Sequence, residues 1–161
     1  MTNDLIVAPY GNESPDEIFD LILPIQQKEF GIAITRDGQP DLADIPSFYQ
    51  QGNGNFWLAR RNGKVIGTVA LKDIGNRQLA LRKMFVSREE RGGGTARALL
   101  DTAVAWAKER QCTDIFLGTT AQFLAAHRFY EKNGFVEIPK DQLPPSFPVM
   151  GVDTKFYRFK P

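Results

Sequence analysis

Met84-Phe85-Val86-Ser87-Arg88-Glu89-Glu90-Arg91-Gly92-Gly93-Gly94-Thr95-Ala96-Arg97 runs from an apolar strand through three glycines into the first turn of a helix. Residues without a β-carbon let successive backbone N–H groups converge on one cluster of oxygens, and the start of a helix adds partial positive charge at the same place. A flexible surface turn is the plainer reading of a glycine triplet. Its placement between a strand and a helix favours a phosphate cradle. Two kinds of cradle do not match. The stretch lacks the Gly-Lys-Ser/Thr ending of a P-loop. Read as a dinucleotide fingerprint from Gly92, it puts Arg97 where close helix and strand packing needs a small residue.

Outward from this stretch, the chain alternates strands and helices. Upstream, Phe56–Arg60, Val65–Leu71 and Leu79–Val86 read as three strands, the first two joined through Asn62-Gly63, a pair suited to a tight hairpin. They predict an antiparallel meander. Further upstream, Asp4–Ala8 reads as a short strand, and Ser14-Pro15-Asp16-Glu17 as a helix start, with Pro24 expected to kink the run of Ile18, Phe19, Ile22 and Ile25. Asp41–Gln50 reads as a second short helix.

Downstream, Thr95–Gln111 is amphipathic, with Leu99, Leu100, Ala103, Trp106 and Ala107 on one side. Ile115–Gly118 is a buried strand, 121–132 a helix stopped by Asn133-Gly134, and Phe135–Ile138 and Thr154–Phe159 are closing strands around a proline-rich loop. In the last strand Phe156 and Arg158 share one face and Tyr157 takes the other. No internal repeat or linker interrupts this order.

The 161 residues have room for one domain, residues 1–161, with 42% apolar and 24% charged residues, a globular balance. Twenty basic against nineteen acidic side chains leave a formal charge of +1, too little for a field that would hold nucleic acid or an anionic membrane. No apolar run approaches the roughly 18 residues of a spanning helix. A lone Cys112 and a start without a secretory leader predict a cytoplasmic protein. One histidine, His127, and one cysteine supply no metal set and no Cys–His device; His127 reads as solvent-facing or structural.

Arg91-x-x-Gly94-x-Ala96 resembles the Arg/Gln-x-x-Gly-x-Gly/Ala signature of the GCN5-related N-acetyltransferase (GNAT) family. Leu81-Arg82-Lys83-Met84-Phe85-Val86 is similar to that family's fourth strand, Ala98-Leu99-Leu100 to its third helix, and Phe129-Tyr130-Glu131-Lys132-Asn133-Gly134-Phe135 to its closing segment. The elements occur in the right order along most of the chain. The resemblance implies an α/β fold: a mixed, mostly antiparallel sheet with splayed fourth and fifth strands and helices on both faces. It implies an acetyl-CoA site in which backbone amides of Arg91, Gly92, Gly93, Gly94, Thr95 and Ala96 bind the pyrophosphate, helped by Arg97, while the Phe85 and Val86 backbone pairs with pantetheine like another strand.

The activity implied is direct acetyl transfer to a primary amine of a small molecule, amino acid or peptide in a ternary complex, without a covalent enzyme intermediate. Tyr130 would be the general acid for the leaving thiolate, a role that competes with plain core packing. A backbone N–H near Phe85 would polarise the thioester. Two positions depart from the family. Ala80 stands where many relatives carry a glutamate base, leaving Asp73, Glu137 or water; Phe123 replaces a cofactor-contacting asparagine. These departures motivate the alternative of a non-catalytic acyl-CoA-binding or regulatory module. A phosphate-binding interaction domain unrelated to CoA is a second alternative. Thr119 and Thr120 could face the pantetheine arm or simply form a turn. The acceptor is expected between the first helices and 139–153. Relatives are often homodimers, and Phe156, Tyr157 and Phe159 offer rings for a contact or, more simply, for the core.

Overall fold

The computed structural model describes residues 4–121 and 123–161. Period-2 apolar patterning builds strands β1 (Leu5–Pro9), β2 (Asn55–Arg61), β3 (Lys64–Asp73), β4 (Gln78–Val86), β5 (Asp114–Thr119), β6 (Val136–Ile138) and β7 (Lys155–Phe159). They form one sheet in the order β1-β2-β3-β4-β5-β7-β6. Every neighbouring pair is antiparallel except β4 with β5. The β2–β3 hairpin turns through Asn62 and Gly63 with φ of 54° and 78°, as the Asn-Gly pair predicts.

Alternation along β2 separates two cores. Trp57 and Ala59 face α4 (Thr95–Glu109) and α5 (Leu124–Lys132), which add Leu99, Leu100, Ala103 and Tyr130. Phe56 and Leu58 face α1 (Asp16–Pro24), α2 (Pro40–Ala43) and α3 (Ile45–Phe48), which add Phe19, Ile22, Leu42 and Tyr49. Under the loop of residues 139–153, Phe147 packs on Phe116 and Phe156 of the strands. Each fully buried Leu or Phe contributes on the order of 2 kcal/mol. Helices thus lie on both faces, as expected.

Three differences from the sequence reading have a local reason. Pro24 lacks an N–H, and the α-helix gives way there to a π turn over Ile25–Glu29, in which Phe30 N–H donates to Ile25 O at 3.0 Å. The expected helix at 41–50 is two short ones, because Asp44 leaves helical geometry (φ −143°, ψ 68°) and its side chain caps α3 through Ser47 N–H. The helix expected from Ala121 starts at Leu124: Phe123 is not helical (φ −90°, ψ 66°), and Ala121 N–H is held by Thr154 Oγ1 at 3.0 Å. Residue 122 lies outside the described residues. No helix among those described is long and apolar enough to cross a membrane.

Candidate active site

β4 and β5 pair only through Gln78↔Asp114, Leu79↔Ile115 and Ala80↔Phe116. Beyond Ala80 the strands part, and Leu81–Val86 keep β3 on one edge with no strand among the described residues on the other. The parting opens a slot through the sheet. A bulge lies in its β4 bank: Thr68 pairs with Phe85 and Ala70 with Arg82, so Val69 opposes two residues, and Lys83 adopts φ 54°. Thr68 Oγ1 donates to Lys83 O at 2.6 Å and fixes the bulge.

Because of the bulge, Arg82 and Lys83 both leave on the face of α1–α3. The Lys83 side chain is 9% exposed and reaches Gln39 Oε1 at 2.7 Å and Asp41 Oδ2 at 3.5 Å. Burial pushes its pKa down, against the raising influence of Asp41. Asp41 also accepts from Tyr49 OH at 2.5 Å, and Gln26 and Gln39 exchange bonds at 2.9 and 3.0 Å. This buried polar network ties β4 to α2, α3 and the π turn.

The glycine loop stands at the end of the slot. Gly92 and Gly94 have φ of 79° and 92°, a region that L side chains rarely adopt, and a β-carbon on either would meet nothing within 4 Å. Their backbone surface is open. Thr95, the first residue of α4, is buried with its Oγ1 unbonded among the described residues. Ala96 packs against the core, and the exposed Arg97 pairs with Asp101 at 3.2 Å rather than turning back over the loop. Phe85 and Val86 put their side chains into the two cores, as their apolar character predicts.

Arg91 Nε donates to Val86 O at 3.0 Å, and its guanidinium pairs with Glu29. That hydrogen bond holds the Glu29 carboxyl below its usual range. The next residue, Phe30, lies 4.4 Å from the Phe123 ring centroid-to-centroid. The end of the π turn therefore bridges the two banks, Arg91 after β4 and Phe123 after β5. Phe123 has a packing role here that an asparagine would not fill.

Tyr130 comes to the slot from α5, within the core that contains Leu81 and Leu117. Its ring packs between Phe129, Phe135 and Tyr157, while its hydroxyl has no hydrogen-bond partner among the described residues. Burial pushes its pKa up, which keeps the phenol protonated. His127 is buried, not solvent-facing: its ring N–H donates to Thr120 O at 2.7 Å, tying the end of β5 to α5. Thr120 Oγ1 is buried without a partner. Three hydroxyls without partners and an open row of glycines fit an extended polar ligand lying along the slot.

Neither carboxylate named as a base reaches it. Asp73 accepts from Asn53 N–H at 2.9 Å and Gly75 N–H at 2.8 Å in turns, and Glu137 pairs with Lys155 at 3.5 Å. Ala80 is fully buried at the last β4–β5 pair and packs with Phe116 rather than offering a carboxylate. A cleft of about 550 Å³ lies apart, between α1 and the β4–α4 loop, lined by Leu21, Lys28, Lys64 and Arg88 among others; Tyr130 and the glycines are not on it.

A sheet opened between two parallel strands, with a glycine loop at one end of the opening, is the architecture of a coenzyme-dependent acyltransferase. Residues 17–135 match the Acetyltransferase (GNAT) family, and the chain belongs to it. Acetyl-CoA is the cosubstrate of that family. The chain is similar to an acetyltransferase of the GNAT family from Staphylococcus aureus Mu50, with a TM-score of 0.93 and 39% identity over 98% of this chain and 99% of that one. A PaiA N-acetyltransferase from Thermoplasma acidophilum, solved in complex with coenzyme A, shares the fold at a TM-score of 0.75 and 15% identity, over 98% and 99% of the two chains. The N-acetylaspartate synthetase of Xenopus tropicalis is 39% identical over 102 residues, 61% of this chain and 37% of that protein. The chain spans about half or less of the length of the curated relatives it matches.

Proposed function

We propose that this chain transfers the acetyl group of acetyl-CoA directly to the primary amine of a small molecule, amino acid or peptide. The observation that carries the reading is the parting of β4 and β5 after Ala80: the glycine loop follows the β4 bank, and Tyr130 packs in the core that contains Leu81 and Leu117 of the two banks. Backbone N–H groups from Arg91 to Ala96, with the positive end of α4 behind them, suit a pyrophosphate. The free β4 edge from Leu81 to Val86 suits an extended amide-bearing arm. Arg97 acts at longer range, because Asp101 holds its guanidinium.

Tyr130 is the proton donor in this reading. Burial disfavours the phenolate, so the phenol stays neutral until a thiolate forms beside it and draws the proton. His127 and Thr120 O fix the β5–α5 junction and thereby the position of Tyr130. Among the described residues Cys112 is buried under α4, and burial pushes its pKa up, which suits packing rather than acyl carriage. The relatives' names point to small amines, an aspartate in one case. The test is CoA release from acetyl-CoA with a panel of amines. Release above the hydrolysis rate with at least one amine is expected, and none with any amine overturns the reading.

A further inference from the structure

Two side chains of opposite charge stand on the two banks of the slot at its apex, on the face away from α4 and α5. If the parallel register joining Ala80 to Phe116 continued, Arg82 would oppose Gly118. The strands part there instead. On the β4 bank, the Arg82 guanidinium lies 5.8 Å from the centroid of the Phe48 ring and its Nη2 lies 3.7 Å from Met150 Sδ. Among the described residues Arg82 forms no ion pair, although the neighbouring Lys83 has Asp41.

On the β5 bank Gly118 has no side chain, and the carboxylate of Asp153 occupies that space. A β-carbon at Gly118 would lie 2.5 Å from Asp153 Oδ2 and 2.8 Å from Cγ. Oδ2 accepts from Met150 N–H at 3.1 Å, and Oδ1 has no hydrogen-bond partner among the described residues. Burial pushes the Asp153 carboxyl up, against the lowering influence of Met150 N–H and Arg82. The charged group facing it is Arg82, from β4; β5 presents only a glycine.

We propose that Asp153 is the general base that takes the proton from the acceptor amine, and that Arg82 on the facing bank holds a carboxylate of the same molecule, so that the acceptor is an amino carboxylate. This rests on the acetyl-transfer reading above. The acid and the base then lie on opposite sides of the sheet, Tyr130 with the helices and Asp153 with the loop of residues 139–153.

The acceptor arrives as an ammonium, and the Asp153 carboxylate removes one of its protons. The freed electron pair on nitrogen forms the new C–N bond to the acetyl carbon, and the C–S bond breaks with its pair on sulfur. Tyr130 gives its phenolic proton to that sulfur. A second proton from nitrogen restores the phenol through solvent, and Asp153 passes its own proton to water. The sum is amide, thiol and one proton released.

Wild type, Asp153→Asn and Arg82→Gln decide the matter, assayed with acetyl-CoA, the proteinogenic L-amino acids and, for the best of them, the matching amine without the carboxylate. Asp153→Asn is expected to lower kcat on the order of 100-fold. The KM for acetyl-CoA should stay unchanged, and the part of the pH–rate profile that follows the Asp153 carboxyl should be lost. The 13C titration of the Asp153 carboxyl should fall above the ordinary 3.8 and move higher still in Arg82→Gln. Arg82→Gln should raise KM for the amino acid by a larger factor than KM for the matching amine. An Asp153→Asn variant with the wild-type rate and pH profile overturns the base. A wild type that acetylates amines but prefers those without a carboxylate overturns the Arg82 contact. A wild type inactive on every amine removes the transfer reading and the proposal together, and differs visibly from an active enzyme indifferent to Asp153.

Discussion

The two faces of the β4–β5 slot are built by different means. On the helix side, α4 and α5 are regular elements, and the groups they offer are main-chain amides after Gly92 and a single hydroxyl on Tyr130. On the other side, a bulge at Lys83 sends Lys83 to Asp41, a π turn after Pro24 sends Glu29 to Arg91, and an irregular loop brings Asp153 beside Gly118. A main-chain site constrains its sequence through backbone geometry, because glycine is what φ of 79° and 92° accept without strain. A side-chain site built on irregular segments can change its residues one at a time. The first face suits a ligand common to a family, and the second a ligand that differs among members.

Substitutions on each face sharpen this contrast. The largest effect is expected from Gly94→Glu, which combines strain at φ 92° with a negative charge in the cradle. Calorimetry should detect no CoA binding by a protein whose circular dichroism is unchanged. On the acceptor face, Lys83→Met should cost about 3 kcal/mol of stability in chemical denaturation, since it leaves Asp41 buried and uncompensated. The double variant Lys83→Met, Asp41→Asn should lose much less than the two single losses added, and strict additivity would dissolve the network.

Tyr130→Phe keeps the ring packing and removes the hydroxyl. A fall in kcat on the order of 100-fold is expected, with CoA affinity unchanged. An active Tyr130→Phe would return the residue to the core. The smallest effect belongs to Arg97→Ala: an exposed i,i+4 pair with Asp101 is worth about 0.5 kcal/mol. CoA affinity should change little, because the main chain supplies most of the contacts, and a large loss in binding would shift weight from backbone to side chain.

The same contrast explains what could be read from the sequence. Asn62-Gly63, the amphipathic run from Thr95 and the Gly92–Gly94 loop are local signals: each fixes a turn, a face or a φ value within a few residues. They pointed to the meander before α4 and to the family, whose resemblance in turn implied the mixed sheet. The bulge at Lys83 is set by Thr68, fifteen residues away, in a stretch that alternates like any strand. Asp153 reaches the slot only because Gly118, on another strand, makes room. His127 showed no sign of burial, since its partner is the carbonyl of Thr120, which carries no sequence signature. The proline at 24 announced a disturbance but not its form, and the π turn that results brings Glu29 to Arg91 and Phe30 to Phe123.

A crystal structure of the protein with coenzyme A tests the central claim most directly. The pyrophosphate is expected within hydrogen-bond reach of backbone N–H groups between Arg91 and Ala96, the pantetheine arm along Leu81–Val86, and the sulfur beside the Tyr130 hydroxyl. Coenzyme A seated instead in the cleft between α1 and Arg88, with the glycine loop facing bulk water, would contradict the account.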